Sequence, residues 1–195
     1  PMGMRLKIVQ VGDPVLRQAA RELSLEEIQH RELQRLIEMM RDTMRDAPGV
    51  GLAAPQIGLP IQLAVIEDRP EYSRDVAPER ERQPVAFHVL INPRIVERSE
   101  EQAEFYEGCL SLAGFSALVK RPRAVTVEFL NEQGTPQRIQ AHGWYARILQ
   151  HEIDHLNGYV YIDRMEPRSF TNLENLNRHW KDLAIADVRA KLGLR

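Results

Sequence analysis

The sequence predicts a single α+β domain, on three observations. Stretches of helical periodicity lie towards both ends, short apolar runs of strand type fill the middle, and tight turns join those runs closely enough for antiparallel pairing. The expected arrangement is short, mostly antiparallel strands around a central helix, with an amphipathic helix near the N-terminus. A chain of 195 residues buries about 70% of its unfolded surface, enough for a core without disulfides or other staples.

The elements follow in order. Ile8–Val11 is a short apolar run, closed by the turn Gly12-Asp13-Pro14. Ser24-Leu25-Glu26-Glu27 has capping-box spacing. Leu33, Leu36, Ile37, Met40 and Met44 then recur with a helical period, which predicts one long helix over 25–46, closed by Pro48-Gly49. Its methionines, 39, 40 and 44, read as core filler. Residues 61–66 and 87–91 are apolar runs of strand type. The intervening segment 68–84 is dense in Arg, Glu, Asp and Pro and is expected to be an exposed loop. Residues 124–129 alternate, and Asn131-Glu132-Gln133-Gly134 turns them into a hairpin with 135–140. A second helix is predicted from Gly143 to Leu156, stopped by Asn157-Gly158. Leu173, Leu176, Trp180, Leu183 and Val188 place a third helix in the tail. The expected division is a domain over residues 1–170 and a helical tail over 171–195.

Composition excludes several classes of function. Lys and Arg number 26 against 28 Asp and Glu, a net charge of −2, which is not that of a protein built to coat nucleic acid or an anionic membrane. No apolar run approaches the length that spans a bilayer. Cys109 is the only cysteine, so the fold does not depend on an internal disulfide. The opening residues, Pro1 to Ile8, have neither the apolar core of a secretory signal nor the amphipathic character of a transit peptide.

The strongest chemical signal is His151-Glu152-Ile153-Asp154-His155. Positions i and i+4 share a helix face, so both imidazoles can meet one metal ion, and Glu152 stands beside that face as a base rather than a ligand. A chance HExxH is expected in on the order of one chain of this length in a few hundred. Two ligands leave a catalytic site one short. The metzincin spacing would put a third His where Tyr161 stands. Glu174 is the nearest downstream carboxylate, in a segment with no other support. Taken alone, Cys109 in Glu107-Gly108-Cys109-Leu110-Ser111 reads as a small core residue; beside a helix lacking its third ligand it becomes the leading candidate. Gly49 to Gln56 (GVGLAAPQ) is bare backbone that an extended ligand could approach. Read alone, that stretch is equally a helix end followed by a crossing of small residues.

Together the three stretches resemble the peptide deformylase family, whose motifs are G-x-G-L-A-A-x-Q, E-G-C-x-S and H-E-x-D-H. All three are complete here and in the family's order. Pro55, Ala113-Gly114-Phe115 and Trp144 resemble the subgroup that includes organellar and some bacterial members. The resemblance implies one divalent metal ion held by Cys109, His151 and His155, usually Fe2+, with Zn2+, Ni2+ or Co2+ able to replace it. It implies that metal-bound water attacks the formyl carbon of N-formylmethionyl nascent peptides and that formate is released. Glu152 would be general base and acid, and Gln56 with the Leu110 backbone N–H would stabilise the oxyanion. Val50, Glu107, Trp144 and Ile148 would line a methionine pocket, while Gly51 and Gly108 would lie along the substrate backbone. The expected partners are nascent peptides and the ribosome, with no role for nucleic acid or membrane. The expected compartment is the cytoplasm of a bacterium, or a mitochondrion or plastid if a presequence has been removed. The residues by themselves leave two other readings open: an HExxH endopeptidase, and a structural metal module.

Overall fold

A computed structural model describes residues 4–195; the opening residues Pro1 to Gly3, part of the leader reading above, lie outside the described residues. Five strands form one antiparallel sheet in the order β1-β2-β3-β6-β7: β1 Gly51–Ala53, β2 Leu63–Asp68, β3 Val85–Arg98, β6 Ala124–Leu130 and β7 Pro136–His142. A three-stranded sheet contains β4 Gln102–Glu107, β5 Phe115–Pro122 and β8 Thr171–Asn172. The α-helices are α1 Leu25–Gln29, α2 Arg31–Asp46, α3 Gly143–Leu156, α4 Leu173–Asn175 and α5 Ile185–Lys191, and short 3-10 turns, one of them Ala54–Ile57, join the elements.

The large sheet is buried on both faces at β1 and β2, which is why β2 reads as a continuous apolar run rather than an alternating one. Its period of two sends Leu63 and Val65 towards Ile28, Leu33, Ile37, Met40 and Met44 of α1 and α2. Ala64 and Ile66 face Ala146, Ile148, Leu149 and Ile153 of α3. The helix carrying the HExxH pattern is thus clamped by apolar contacts along one side, leaving its polar side for chemistry. Arg45 of α2 is joined to Glu67 of β2 by two hydrogen bonds of 2.8 Å.

The predicted long helix is two helices. Ser24 and Glu27 form the expected capping box, with both bonds at 3.1 Å, but His30 adopts extended backbone and caps α2 by accepting from the Glu32 N–H through Nδ1. Side-chain periodicity continues across such a break, so apolar spacing did not reveal it. The tail is likewise divided: α4 runs into a π-helical turn at Leu176–Trp180 and α5 follows separately. Its apolar side chains Leu176, Trp180, Leu183 and Val188 cover Tyr106 and Leu118 of the smaller sheet.

The segment 68–84 is less exposed than its composition suggests. Asp68 is buried and receives two 3.0 Å hydrogen bonds from Arg82, and the Arg80 guanidinium lies 5.0 Å from the ring centroids of both Phe105 and Trp144. Ion pairing and aromatic faces, rather than apolar residues, hold it down. Among the described residues no helix is long and apolar enough to cross a membrane.

Candidate metal and active site

Helix α3 sets the two histidines one turn apart, and the turn after β4 delivers Cys109 to them. The ligand-capable atoms of Cys109, His151 and His155 lie within 4.8 Å of one another. Cys109 Sγ is 3.3 Å from His155 Nε2; a tetrahedral thiolate–imidazole pair around a first-row cation would sit about 3.5 Å apart. His151 uses Nδ1 on Glu107 Oε1 at 3.0 Å, which fixes the ring and leaves Nε2 for the cluster. A soft sulfur and two imidazoles suit several divalent first-row ions. His155 is fully buried, and its Nδ1 has no protein partner.

Glu107 is the electrostatic hub of the site. Arg121 donates to it at 2.6 and 3.0 Å, and Arg147 Nη1 donates to the same carboxylate. Arg121 also reaches Asp154 at 2.9 Å, and Asp154 in turn accepts from Arg164. Burial opposes the charged form of Glu107, but the Arg121 guanidinium and the bond from His151 outweigh it and hold the carboxyl well below its ordinary range. Burial likewise opposes a charged His151, yet its contacts with Cys109 and Glu107 raise its pKa well above the ordinary value. For His155, burial and the neighbouring His151 charge act together and lower it.

Glu152 is fully buried next to this cluster. Burial pushes its carboxyl up to about 7, against the pull of His151 and Arg121, and its Oε1 has no hydrogen-bond partner. The glycine at 51 makes room for it, because a Cβ there would collide with the Glu152 carboxylate. Gln56 is held in one orientation: Oε1 accepts from the Ala53 N–H at 2.9 Å, while Nε2 points at Ser111 Oγ and Cys109 Sγ, 3.2 and 3.6 Å away. In the cysteine turn, the N–H groups of Ser111 and Leu112 bond Cys109 Sγ and Cys109 O.

A cavity of about 700 Å³ opens over these groups, within the size range of small-ligand sites. Val50, Gly51, Gln56, Glu107, Gly108, Cys109, Leu110, Trp144, Ile148, His151 and Glu152 all line it. His155, fully buried, is not among the lining residues, and neither is Glu174, the downstream carboxylate. Strand β1 is an edge of its sheet and borders the cavity. Sequence reasoning missed Arg82, Arg121 and Arg147, since an arginine that will be buried looks like any surface arginine until the carboxylate facing it is known. It did note Phe115, but as a subgroup mark rather than a cavity residue.

The known proteins this chain resembles agree with each other. The family model described as polypeptide deformylase matches residues 5–171. The chain is 49% identical over 189 residues to peptide deformylase 1 of Bifidobacterium longum, covering 96% of this chain and 86% of that protein. It is 46% identical over 191 residues to the chloroplastic peptide deformylase 1A of Solanum lycopersicum, covering 96% and 67%. Among solved structures, a class I type b peptide deformylase of Acinetobacter baumannii bound to Met-Ala-Ser superposes with a TM-score of 0.77 at 32% identity, over 84% of this chain and all of that one. The fold, the motifs it assembles and these matches place the chain in the peptide deformylase family, metal-dependent hydrolases that remove the N-formyl group from newly made polypeptides.

Proposed function

We propose that Cys109, His151 and His155 hold one divalent cation, Fe2+ in the native protein, and that the chain uses it to hydrolyse the formamide of formylmethionyl polypeptides. The observation that carries this reading is the buried, unpaired Glu152 oxygen beside a Cys–His–His cluster at the floor of an open cavity. The cation would supply Lewis acidity, lowering the pKa of water and polarising a carbonyl oxygen. A carboxyl poised near neutrality can accept a proton and give it back. Glu152 takes the proton of the attacking water as the new C–O bond forms, then delivers it to the amine nitrogen as the C–N bond breaks. Formate and a free methionine amine leave.

Gln56 Nε2, fixed through the Ala53 N–H, and the Leu110 N–H donate to the developing oxyanion. Loss of one such donor costs about 2.7–4 kcal/mol of barrier. Val50, Glu107, Trp144 and Ile148 form the walls for the methionine side chain, and Gly51 and Gly108 let the peptide backbone approach closely. The free edge of β1 supports binding by strand addition, and the Met-Ala-Ser bound by the Acinetobacter baumannii relative supports a peptide as occupant. Nascent formylated chains emerge at the ribosome, so a ribosome contact belongs to the proposal and is checked by co-sedimentation. The compartment would be that of its ribosomes: bacterial cytoplasm, mitochondrion or plastid.

The test is formate release from formyl-Met-Ala-Ser by protein prepared without oxygen, since a thiolate ligand is prone to oxidation. Glu152→Gln is expected to lose at least about a thousandfold in kcat while keeping its metal. Cys109→Ser is expected to lose the metal. Full metal content in Cys109→Ser, or wild-type turnover in Glu152→Gln, would sink the assignment.

A further inference from the structure

The short run Ile8–Val11 and its turn Gly12-Asp13-Pro14 have no part in the chemistry proposed above, yet they tie two of the three motifs together. The Val9 N–H donates to Gln56 O and the Val11 N–H to Ser111 O, both at 2.8 Å. Between them the Gln10 side chain reaches the cysteine turn. Its Nε2 donates to Leu110 O at 2.9 Å, and its Oε1 accepts from the Ala113 N–H at 3.1 Å. A carbonyl needs a donor and an N–H needs an acceptor, so this pairing admits only one orientation of the amide. The turn that follows braces it: the Asp13 N–H donates to Gln10 O at 3.1 Å, and Gly12 stands at a φ of 104°, which favours glycine.

What Gln10 holds is the peptide group next to Cys109. Leu110 O and the Ser111 N–H belong to one planar unit and point in opposite directions across it. The Ser111 N–H donates to Cys109 Sγ at 3.4 Å. A donor on the oxygen therefore fixes the plane and polarises the N–H on its far side, which strengthens the bond to sulfur. We propose that Gln10 is a positioning residue of the metal centre. Through the Leu110–Ser111 peptide it aims a hydrogen bond at the Cys109 sulfur and draws electron density from it, leaving a bound cation the stronger Lewis acid. The donor half of the amide carries the effect, and the Ala113 bond keeps it in place. The inference rests on the reading of Cys109 as a metal ligand and specifies what tunes that ligand. Gln10 is exposed, so substitutions there leave the core intact.

The experiment uses Co2+-loaded protein, whose thiolate-to-metal charge-transfer band in the near ultraviolet reads the electron density at sulfur without any substrate. Gln10→Ala and Gln10→Glu are expected to move the band to longer wavelength, since each removes the donor to Leu110 O. Gln10→Lys keeps a donor for Leu110 O but offers no acceptor to Ala113, and its band should stay close to that of the wild type. With formyl-Met-Ala-Ser, kcat should fall about 5- to 10-fold in the Ala and Glu variants while KM stays within about twofold. That is below the cost of losing a group bonded directly to a ligand, because Gln10 acts one peptide further away. Gln10→Lys should recover most of the loss. A merely structural role would lower Tm in all three variants and leave the band where it is. A band unmoved in both Gln10→Ala and Gln10→Glu overturns the proposal, as does a Gln10→Lys variant no better than Gln10→Ala. So does a change confined to KM, which would make Gln10 a contact of the substrate. A wild type with no thiolate band would overturn the assignment of Cys109 itself, so failure of the clamp and failure of the metal reading are told apart.

Discussion

At the scale of single residues, the site depends on two kinds of fit. One is electrostatic: Glu107 is an anion buried among Arg121, Arg147 and His151, and removal of its carboxylate would leave the buried Arg147 guanidinium without its anion. The other is steric and turns on Gly51, which has an ordinary φ that alanine also adopts. What forbids a side chain there is the Glu152 carboxylate, into which a Cβ would run. Gly51→Ala is therefore expected to fold, losing about 1–3 kcal/mol to overpacking, and to keep its metal. Its kcat should fall about a hundredfold because the base is displaced. Formate release alongside metal analysis checks this, and an unchanged kcat would show that Glu152 has slack. The two His residues could be read from their spacing, because four residues along a helix is a distance the backbone itself fixes. Arg121 and Arg147 could not, because their burial depends on strands and a helix meeting far from them in sequence.

Whole elements show where local rules carried and where they failed. Helix α3 runs from Gly143 to Leu156 as its periodicity and its Asn157-Gly158 stop predict. The break at His30 went unseen because one residue of extended backbone preserves the apolar stripe on both sides of it. Strands β4 and β5 were not read at all, since their polar residues, among them Glu107 and Arg121, become buried only through mutual pairing. The Arg45–Glu67 pair ties α2 to β2 near the first motif and supports a pH prediction. Its hydrogen bonds from Arg45 hold the Glu67 carboxyl below the ordinary range, so its stabilisation is present at neutral pH and is lost as pH falls through that lowered value. Glu67→Gln should cost about 0.5–1 kcal/mol at pH 7, the modest figure reflecting an arginine more than a third exposed. Urea unfolding should show the gap closing as the pH is taken down past the carboxylate range; a gap that persists in acid would mean that the pair's charge is not its source.

For the molecule as a whole, the tail is where sequence and structure need an experiment between them. We propose that the metal site and its base belong to residues 1–170 and that 171–195 is a strap packed against them. Leu176, Trp180 and Val188 cover Tyr106 and Leu118, and Arg189 donates two hydrogen bonds of 2.9 Å to Glu104. Truncation after residue 170 should cost about 3–5 kcal/mol of apolar burial, lowering Tm by about 10–15 °C, while the shortened chain still binds its cation. Scanning calorimetry and metal analysis together check it; loss of the metal would place part of the site's support in the tail. The amino-acid order was enough to name an HExxH helix, a capping box, a hairpin and three motifs whose joint occurrence marks the family, because each is written within a few neighbouring residues. It could not say which arginines neutralise Glu107, why position 51 excludes a side chain, or that Gln10 braces the turn carrying Cys109. Those facts arise when segments tens of residues apart are brought within a few ångströms, and burial and charge take their values from that meeting.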